Sequence, residues 1–509
     1  MAPSRLQARL TGAAAGILAA GTGAAAAHLV AALTDPATSP VLAVGSQVID
    51  LTPTPVKEWA VRELGTADKP VLIGSVLVGT LLLAALAGMA ARRWFVAGAA
   101  GIVLLTGVAG FVAVTRPEAG ASAVLPAVVA AAVGVAVLAL LTPRPRRDPA
   151  ERAPGTGPLG RRGFLLAAGA AIALAGAGEW IGRARTRIAD VVLPAARRPA
   201  APLPAGLEER YAGISPFRTP TGDFYRVDTR LTLPVVDLDG WRLRIDGDVP
   251  RPVELTFDEL LAMPLVERDI TMTCVSNEVG GEYVGAARWL GVPLPRLLAR
   301  AGLRSTADTG ADQLLSTDVD GFTISTPLEA VLDGREPLVA VGMNGRPLPR
   351  EHGFPVRLVT PGLYGFVGST KWLTRLTLTT YAEETAYWTD REWATDAPVK
   401  VSSRIDTPRP LSTADAGQVV VGGVAWAQQR GVAGVELRVD GGAWQPCELG
   451  PDAGIDYWRQ WYFLWDAEPG EHMLAVRATT EDGEVQTSAR MTPFPEGSTG
   501  VQEIVVRVA

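Results

Sequence analysis

Cysteine and histidine are scarce in this chain, which contains 2 and 3 of them among 509 residues. Two cysteines allow at most one intramolecular disulfide, so the chain is not a small disulfide-stabilised scaffold. The first 199 residues contain a single histidine, His28. A membrane haem held by two histidines therefore cannot form within this half on its own.

Basic residues are scarce in the second half. Residues 200–509 contain 28 Lys and Arg against 43 Asp and Glu, whereas residues 1–199 contain 19 against 10. An acidic second half argues against a nucleic-acid partner, because phosphates require a basic face.

Long apolar runs are concentrated in the first half. Five stretches approach the roughly 20 residues that cross a bilayer, at about 11–33, 70–90, 94–114, 121–142 and 163–182. The alternative is a set of buried helices in an Ala-rich soluble domain, but the stretches are nearly free of charge. Residues 1–184 are therefore predicted to be a membrane anchor with five transmembrane helices.

Arginines set the predicted orientation of this anchor. Those at the predicted cytoplasmic ends of the spans are Arg5, Arg9, Arg92, Arg93, Arg144, Arg146, Arg147, Arg152, Arg161 and Arg162. The positive-inside rule places the N-terminus in the cytoplasm and everything after the fifth span outside the cell membrane. Ionisable residues at mid-depth are scarce, so the spans indicate an anchor rather than a transporter or channel.

The fifth span begins with Arg161 and Arg162, in the stretch GRRGFLLAAGAAIALAGAG. Paired arginines before Phe-Leu and a weakly apolar run resemble a twin-arginine export signal, a route for proteins that fold around a cofactor before export. The pair could equally be ordinary positive-inside anchors. Both interpretations stay open on the sequence.

The outer half is predicted to begin with a linker, because residues 185–215 are rich in Pro, Ala and Arg. Residues 216–392 mix short strands and helices and are predicted to be an α+β catalytic domain. Thr256 and Glu259 have the spacing of a capping box, which indicates a helix start. Alternation in ERDITMTC predicts a strand that ends at Cys274.

Residues 400–509 are predicted to be an all-β, immunoglobulin-like sandwich, because alternating strands are separated there by Asp-Gly and Gly-Gly turns. Cys447 is predicted to pack within it and His472 to lie at its surface. Five tryptophans are predicted to pack in the core or between domains rather than to bind a ligand: Trp426, Trp444, Trp458, Trp461 and Trp465.

Cys274 lies among polar residues in TMTCVSNEVGGEY, and two ordinary interpretations apply to it. It could pair with Cys447 in a disulfide, or it could be an inert buried thiol. A third interpretation comes from the otherwise apolar stretch NGRPLPREHGFPVRLVTPGLYGFVGSTKW. It contains the cationic residues Arg346, Arg350, His352, Arg357 and Lys371. Such a cluster indicates an anionic cofactor, because buried cations need partners and Arg binds phosphate well.

Several motifs in order make residues 216–509 resemble the sulfite oxidase family of molybdopterin enzymes. They are TMTCVSNEVGG, ARWLGVPLPRLL, MNGRPLPREHGFPVR, PGLYGF, STKWL, GVAWA and VELRVDGGAW. The resemblance implies a molybdenum-molybdopterin cofactor and oxygen-atom transfer. It also implies that Cys274 is a thiolate ligand of molybdenum, a soft ligand that suits this centre. A homodimer through the C-terminal domain is a further implication.

The resemblance assigns roles to further residues by position. The residues expected in catalysis are Cys274, Arg226 and Asn277. The expected pterin and phosphate contacts are Tyr225, Arg226, Val227, Thr317 or Asp318, His352, Arg357, Ser369, Thr370 and Lys371. His352 could instead be structural, but Arg357 five residues later favours the cofactor role.

The sequence also departs from the family. Sulfite-oxidising members usually carry arginines where this chain has Glu278 and Val279, and a Tyr where it has Val341. Sulfite is therefore expected to be a poor substrate, and a neutral oxygen-atom donor or acceptor such as a sulfoxide fits better. No haem domain is visible, so a separate quinone or haem protein is expected to exchange the electrons.

A cofactor-free, membrane-tethered binding protein that uses the immunoglobulin-like domain is the rival hypothesis. The cationic groups of HGFPVR and STK separate the two, since a binding module does not need them. The sequence favours a membrane-anchored, extracytoplasmic molybdopterin oxidoreductase.

Overall fold

The computed structural model describes residues 5–509 apart from 54–55, 57–58, 61–62, 65–66, 117–120, 143–160 and 186–190. The chain divides into two compact units. The helical unit comprises Met1–Ala189 together with Asp228–Val235, and the second unit comprises Asp190–Val227 together with Val236–Ala509.

The helical unit is built from α-helices in the part of the chain that the structure describes. They are α1 (Arg5–Leu33), α2 (Pro40–Leu51), α3 (Asp68–Ala91), α4 (Phe95–Val114), α5 (Leu125–Leu141) and α6 (Arg161–Arg185). Apolar side chains cover the outer face of α4, where Val96, Leu104 and Phe111 are 79%, 70% and 68% exposed. Small residues such as Gly98 and Ala109 face its neighbours. This arrangement is compatible with helices that pack together within lipid.

Four segments among the described residues are long and apolar enough to cross a membrane, whereas the sequence predicted five. They are Leu6–Leu33, Lys69–Ala91, Phe95–Val114 and Ser122–Leu141. The fifth predicted span falls in α6, whose apolar part, Leu165–Trp180, is shorter. The arginines between 143 and 160 and the side chains of Arg161 and Arg162 lie outside the described residues.

The second unit begins with an α+β region. Its strands are β1 (Arg242–Gly247), β2 (Val253–Thr256), β3 (Val266–Thr273), β4 (Val284–Pro293), β5 (Gln313–Asp318), β6 (Thr323–Pro327), β7 (Leu338–Met343), β8 (Arg346–Pro347), β9 (Arg357–Val359) and β10 (Leu373–Thr379). Its helices are α7 (Phe257–Leu261), α8 (Leu294–Arg300), α9 (Leu328–Leu332) and α10 (Gly365–Gly368). One sheet has the order β2-β1-β10-β5-β6, and the other has β3-β4-β7-β8 with β9 also paired to β7.

Short-range sequence signals account for several of these elements. The Thr256 Oγ1 accepts from the backbone N of Glu259 at 3.1 Å, and the Glu259 carboxylate accepts from the backbone N of Thr256 at 2.8 Å. This capping box starts α7 as predicted. Strand β3 ends at Thr273, so the predicted delivery of Cys274 by a strand is also confirmed.

Residues 400–509 form two sheets. Their strands are β11 (Ser402–Thr407), β12 (Thr413–Ala414), β13 (Gly417–Trp426), β14 (Val432–Val439), β15 (Gln445–Pro446), β16 (Glu448–Leu449), β17 (Arg459–Ala467), β18 (Gly470–Thr480) and β19 (Gln502–Val508). The sheets have the orders β11-β13-β17-β16 and β12-β19-β18-β14-β15, and they share one hydrophobic core. This C-terminal β-region is therefore β-rich as predicted, while its immunoglobulin-like class stays a prediction.

Part of the predicted linker packs against the fold. The backbone N of Arg197 donates to Leu265 O at 2.8 Å, and the backbone N of Glu267 donates to Arg198 O at 3.0 Å. The Glu267 carboxylate also accepts from the backbone N of Ala200 at 3.1 Å. Residues 197–200 thus follow the edge of β3 rather than forming a free linker.

One residue of the C-terminal β-region, Trp444, differs from expectation. Trp444 is half-buried, with the guanidiniums of Arg438 and Arg477 at 4.6 and 4.4 Å from its ring centre. Cation–π contacts satisfy this ring at the sheet surface, whereas Trp426, Trp458, Trp461 and Trp465 are buried as predicted. His472 lies partly exposed at the surface, as predicted, with its Nδ1 2.7 Å from the Asp440 carboxylate.

Candidate active site

Cys274 follows β3 directly and opens a loop over residues 274–283, called here the cysteine loop. The backbone N of Cys274 donates to Tyr283 O at 2.9 Å, which closes the loop. The thiol is buried, and burial raises its pKa against the opposing effects of hydrogen bonds at Ser276 and the charge of Lys371. Cys274 and Cys447 are both free, so the disulfide interpretation is wrong. Cys447 packs beside the core of the C-terminal β-region, as predicted.

The Asn277 side chain makes a hydrogen bond within the cysteine loop. It is 5% exposed, and its Oδ1 accepts from the backbone N of Tyr283 at 2.8 Å. The carboxamide oxygen therefore bridges the two ends of the loop. This contact gives Asn277 a positioning task beside Cys274.

Arg357 is a buried cation without a carboxylate partner among its hydrogen bonds. It lies on β9 and is 6% exposed. Its Nη1 donates to His352 O at 3.2 Å, its Nη2 donates to Ser369 Oγ at 2.6 Å, and its Nε has no hydrogen-bond partner. Burial lowers the pKa of this guanidinium to about 10. An uncompensated buried cation is unfavourable unless an anion binds it.

Pairing of β9 with residues 368–370 brings Ser369 and Thr370 to Arg357. The backbone N of Leu358 donates to Thr370 O at 2.9 Å, and Ser369 Oγ donates to Leu358 O at 2.7 Å. Thr370 Oγ1 is 2.5 Å from the Ser316 hydroxyl on β5. Three buried hydroxyl groups therefore line the same strand end.

His352 lies beside Arg357 as a neutral imidazole. Burial, followed by the charge of Arg357, lowers its pKa to about 4, and Lys371 adds to the effect. Its Nε2 is 3.1 Å from Thr221 O and donates to it, since a carbonyl can only accept. Gly353 makes the turn possible, because its φ is +106° and a Cβ there would lie 3.0 Å from Lys371.

Tyr225 belongs to the same cluster. Its ring stacks on Phe224 at 5.1 Å. Its pKa is raised first by burial and then by Cys274, and Arg357 opposes the rise. Arg226 and Val227, predicted to act with it, are exposed.

The structure gives Thr317 and Asp318 other surroundings. The Asp318 Oδ1 accepts from the backbone N of Asp320 at 2.8 Å and from that of Phe322 at 3.0 Å. This carboxylate therefore closes the turn between β5 and β6. Thr317 pairs with Arg375 and Thr323 inside the sheet.

Sequence reasoning did not assign three residues of the cluster. Tyr364 is 3% exposed. Burial raises its pKa to about 12, and it interacts electrostatically with Cys274. Trp289 lies 5.2 Å from the Arg357 guanidinium, and Ser316 reaches Thr370. Tyr364 and Trp289 were within the recognised motifs PGLYGF and ARWLGVPLPRLL but were given no role, whereas Ser316 had only the pattern of an ordinary core strand.

The two departures from the family pattern lie in different environments. Glu278 is an exposed residue of the cysteine loop. Val341 is 1% exposed and packs in the main hydrophobic core. The interpretation of Val341 as a lost substrate contact is therefore not supported, whereas Glu278 is accessible from solvent.

The cluster fits an anionic cofactor that carries its own metal ligands. The unpartnered Arg357 Nε and the neighbouring hydroxyl groups are suited to phosphate oxygens. Among the described residues, no group of three or more His, Cys, Asp and Glu could hold a metal ion. Cys274 could therefore bind a metal here only together with ligands that are not side chains of this kind.

Comparisons with known proteins also indicate a site for an anionic cofactor. Residues 230–388 match the family model of the oxidoreductase molybdopterin binding domain. The chain is 32% identical to mitochondrial sulfite oxidase of Rattus norvegicus over 289 residues, 49% of this chain and 51% of that protein. It is 32% identical to the Homo sapiens protein over 320 residues, 54% and 57% of the two chains. The chain thus spans about half the length of these relatives.

A solved structure is also similar. The sulfane dehydrogenase SoxCD from Paracoccus pantotrophus aligns with a TM-score of 0.50 and 25% identity. The alignment covers 57% of this chain and 81% of that chain.

Proposed function

Because the chain belongs to the sulfite oxidase family of molybdopterin oxidoreductases, we propose that it is a membrane-anchored oxidoreductase whose catalytic region lies outside the cell membrane. The observation that carries the proposal is the buried Arg357, which has an unpartnered Nε and lies in one cluster with His352 and Tyr225. A membrane-tethered binding protein does not need a buried cation of this kind.

The proposed site residues divide by chemistry. The Cys274 thiolate is the metal ligand, since a soft sulfur suits molybdenum held by other sulfur ligands. The guanidinium of Arg357, the ammonium of Lys371 and the hydroxyls of Ser369 and Thr370 bind the phosphate end of the cofactor. Tyr225 and neutral His352 contact its ring system. When bound, the cofactor supplies two-electron redox chemistry and oxygen-atom transfer.

Replacing Arg357 tests the cofactor proposal. We expect Arg357→Met, made in the full chain in detergent, to lose molybdenum and pterin. The cofactor-free variant should be at least as stable as the cofactor-free wild type, because replacing a buried charge by an apolar side chain of similar volume is often neutral or stabilising. Metal analysis, pterin fluorescence and thermal unfolding measure the three quantities.

Arg438→Met is the matched control, since this guanidinium lies at the surface of the C-terminal β-region beside Trp444. It should keep the cofactor. A wild-type protein without molybdenum and pterin, from cells that make both, would contradict the proposed function.

We propose a neutral oxygen-atom donor such as a sulfoxide as the substrate class. Its reduction takes two electrons and two protons and yields a sulfide and water. Glu278 lies in the cysteine loop at a position where sulfite-oxidising relatives are expected to carry a cation. A carboxylate there repels an anionic substrate, by about 1 kcal/mol or more at close range even in water.

Glu278→Arg should therefore improve sulfite oxidation at least several-fold in kcat/KM and leave sulfoxide reduction less affected. Glu282→Arg is the control, because this exposed carboxylate lies in the same loop. Efficient sulfite oxidation by the wild type, or no gain from Glu278→Arg, would contradict the substrate proposal.

Electrons come, in this proposal, from a separate carrier, a quinone or a haem protein. The four apolar segments anchor the enzyme in the bilayer where such carriers are available. A homodimer through residues 400–509 is the proposed assembly.

A further inference from the structure

The C-terminal β-region contacts the cysteine loop through side-chain donors. The Ser498 Oγ donates to Asn277 O at 2.6 Å. Ser498 is 9% exposed, so this bond is shielded from water. It holds the backbone three residues after Cys274.

Arg404 makes the second contact from the same region. This side chain, on β11, is 9% exposed, and its Nη1 donates to Gly281 O at 2.9 Å. Its Nε donates to Asp406 at 2.6 Å and its Nη2 to Ser215 Oγ at 2.9 Å. With three fixed partners the guanidinium is immobilised, so Gly281 is held at a defined place.

Glycines allow this close approach. Gly280 has a φ of +79°, and a Cβ there would lie 2.5 Å from the Gln502 Nε2. A Cβ at Gly281 would lie 2.6 Å from the Asn277 Oδ1. The loop therefore fits between Asn277 inside it and Gln502 outside it only without side chains at these two positions.

A small cavity lies beside these contacts. Its volume is about 10 Å³, and its lining includes Thr273, Asn277, Tyr364, Trp426 and Ser498. Thr273 and Trp426 are each 2% exposed, and their Oγ1 and Nε1 atoms have no hydrogen-bond partner. Buried polar groups in a space of this size are usually satisfied by one water molecule.

We propose that the C-terminal β-region positions the cysteine loop for catalysis, through Ser498 and Arg404 and through a water molecule held between Thr273 and Trp426. The loop's own backbone hydrogen bonds, Cys274 N to Tyr283 O and Gly281 N to Glu278 O, join residues within it, and Val275 packs in a hydrophobic core with Leu363 and Tyr364. The region that follows the catalytic domain thus contributes to the site in addition to its proposed role in the homodimer. This inference rests on the proposed function in one respect, namely that Cys274 is the metal ligand whose position the loop fixes.

Ser498→Ala is the first test, made in the full chain. It removes one shielded hydrogen bond and leaves Asn277 O without its donor. We expect amide hydrogen exchange at Asn277, Gly281 and Tyr283 to become about tenfold faster, and kcat to fall with little change in KM. Ser498→Thr, which keeps the hydroxyl, should restore both.

Ser412→Ala is the matched control, because the Ser412 Oγ donates to Arg409 O at 2.6 Å in the same region, away from the cysteine loop. It should leave exchange in the loop unchanged. Unchanged loop exchange in Ser498→Ala, or an equal rise in Ser412→Ala, would overturn the proposal. Since exchange needs no cofactor, these results stay separate from a failure of the proposed function, which molybdenum content reports.

A second substitution, compared with a matched control, tests the water. Trp426→Phe removes an N–H that, in a water-filled cavity, has a partner; the variant should then lower Tm and speed loop exchange. In a dry cavity the loss of an unsatisfied donor offsets part of the packing cost of the smaller ring, so Tm should fall less. Trp461→Phe is the control, because its Nε1 is also buried and unpartnered but lies in the core of the C-terminal β-region. A fall in Tm for Trp426→Phe no larger than that for Trp461→Phe, or equal loop effects in both variants, would overturn the water site.

Discussion

Cys274 and Cys447 differ in what their environments offer a metal. Cys274 lies at the end of β3 and interacts electrostatically with Lys371 and Tyr364. Cys447 lies between sheet strands, where burial and nearby carboxylates raise its pKa to about 12. Burial raises the pKa of both thiols, but Lys371 opposes the rise at Cys274, whereas Glu436 and Glu448 add to it at Cys447; a thiol that keeps its proton is a poor ligand and a poor nucleophile.

We therefore expect Cys274→Ser to abolish turnover and alter the molybdenum spectrum while the pterin is retained. A hydroxyl cannot reproduce a thiolate's bonding to the metal. Cys447→Ser should keep most of the activity and the native spectrum. Metal analysis, electron paramagnetic resonance and turnover distinguish the two variants, and equal loss in both would contradict the role of Cys274.

His352 predicts a pH dependence of stability. Its folded pKa of about 4 lies below the ordinary histidine pKa of about 6.5. The unfolded chain binds the extra proton between these values, so the contribution of His352 is complete above about pH 6.5 and is lost as the pH falls toward 4. The shift corresponds to about 3 kcal/mol at most.

Chemical unfolding of the cofactor-free chain between pH 4.5 and 7 measures this dependence. His352→Gln should flatten it. His472 is the control, because its hydrogen bond to Asp440 raises its pKa, so its stabilising effect is lost as the pH rises. If the unfolding free energy of His352→Gln still fell with decreasing pH as in the wild type, the assignment to His352 would be contradicted.

Individual site residues could be predicted from the residues themselves where a charge or a thiol stood in an unusual sequence context, whereas Tyr225, Ser369 and Thr370 were predicted from the family resemblance alone. Cys274, His352, Arg357 and Lys371 had that context, and the structure brings them together. Ser316 and Trp289 did not, because a long-range strand pairing supplies their contact. Arg226 was assigned by position and is exposed, which no local pattern could show.

At the scale of elements, helices and strands could be predicted where all the residues that define them are close together in the sequence. The capping box at Thr256 and the alternation before Cys274 gave the correct helix and strand. Composition misled for residues 197–200, because a Pro- and Ala-rich segment can still donate backbone hydrogen bonds to a strand edge such as β3. The environment of Trp444 could not be predicted from its local sequence either, since the arginines that contact its ring lie on strands β14 and β18.

Helix α6 carries the element-scale prediction. Its apolar part, Leu165–Trp180, is short and weakly apolar. A twin-arginine signal has this character, whereas an ordinary transmembrane helix is usually longer and more apolar. We expect Arg161→Lys with Arg162→Lys to block export of the catalytic region, because that pathway reads the arginines rather than the charge. Protease accessibility in spheroplasts measures export.

Arg92→Lys with Arg93→Lys is the control, and it should leave export unchanged. Unimpaired export in the Arg161 and Arg162 variant would leave that pair as charge anchors under the positive-inside rule.

At the scale of the whole molecule, the helical unit contains a contact that bears on topology. The Lys69 Nζ donates to the Asp228 carboxylate and to its carbonyl, both at 3.1 Å. Lys69 lies at the start of α3, in the loop predicted to be outside, and Asp228 follows the last predicted span. Both residues must be on one side of the membrane, which requires an even number of crossings between them, as in the five-span prediction and in either absolute orientation.

A reporter enzyme that is active only after export should therefore be active when fused after residue 200. The same reporter fused after Arg93 is the control and should be inactive, because α3 and α4 are joined there on the cytoplasmic side. The reverse result would contradict the orientation.

Residues 228–235 belong to the helical unit, and this affects whether the whole chain or a shorter fragment should be purified. Asp228 has only 4% of its side chain exposed beside Lys69, and Leu231 packs over Gly45, where an added Cβ would be 2.7 Å away. A shortened polypeptide starting at residue 190 would leave this carboxylate without its cation and this leucine without its cover. Such a fragment should aggregate on storage, so lipid nanodiscs holding the whole chain are the appropriate preparation for assays.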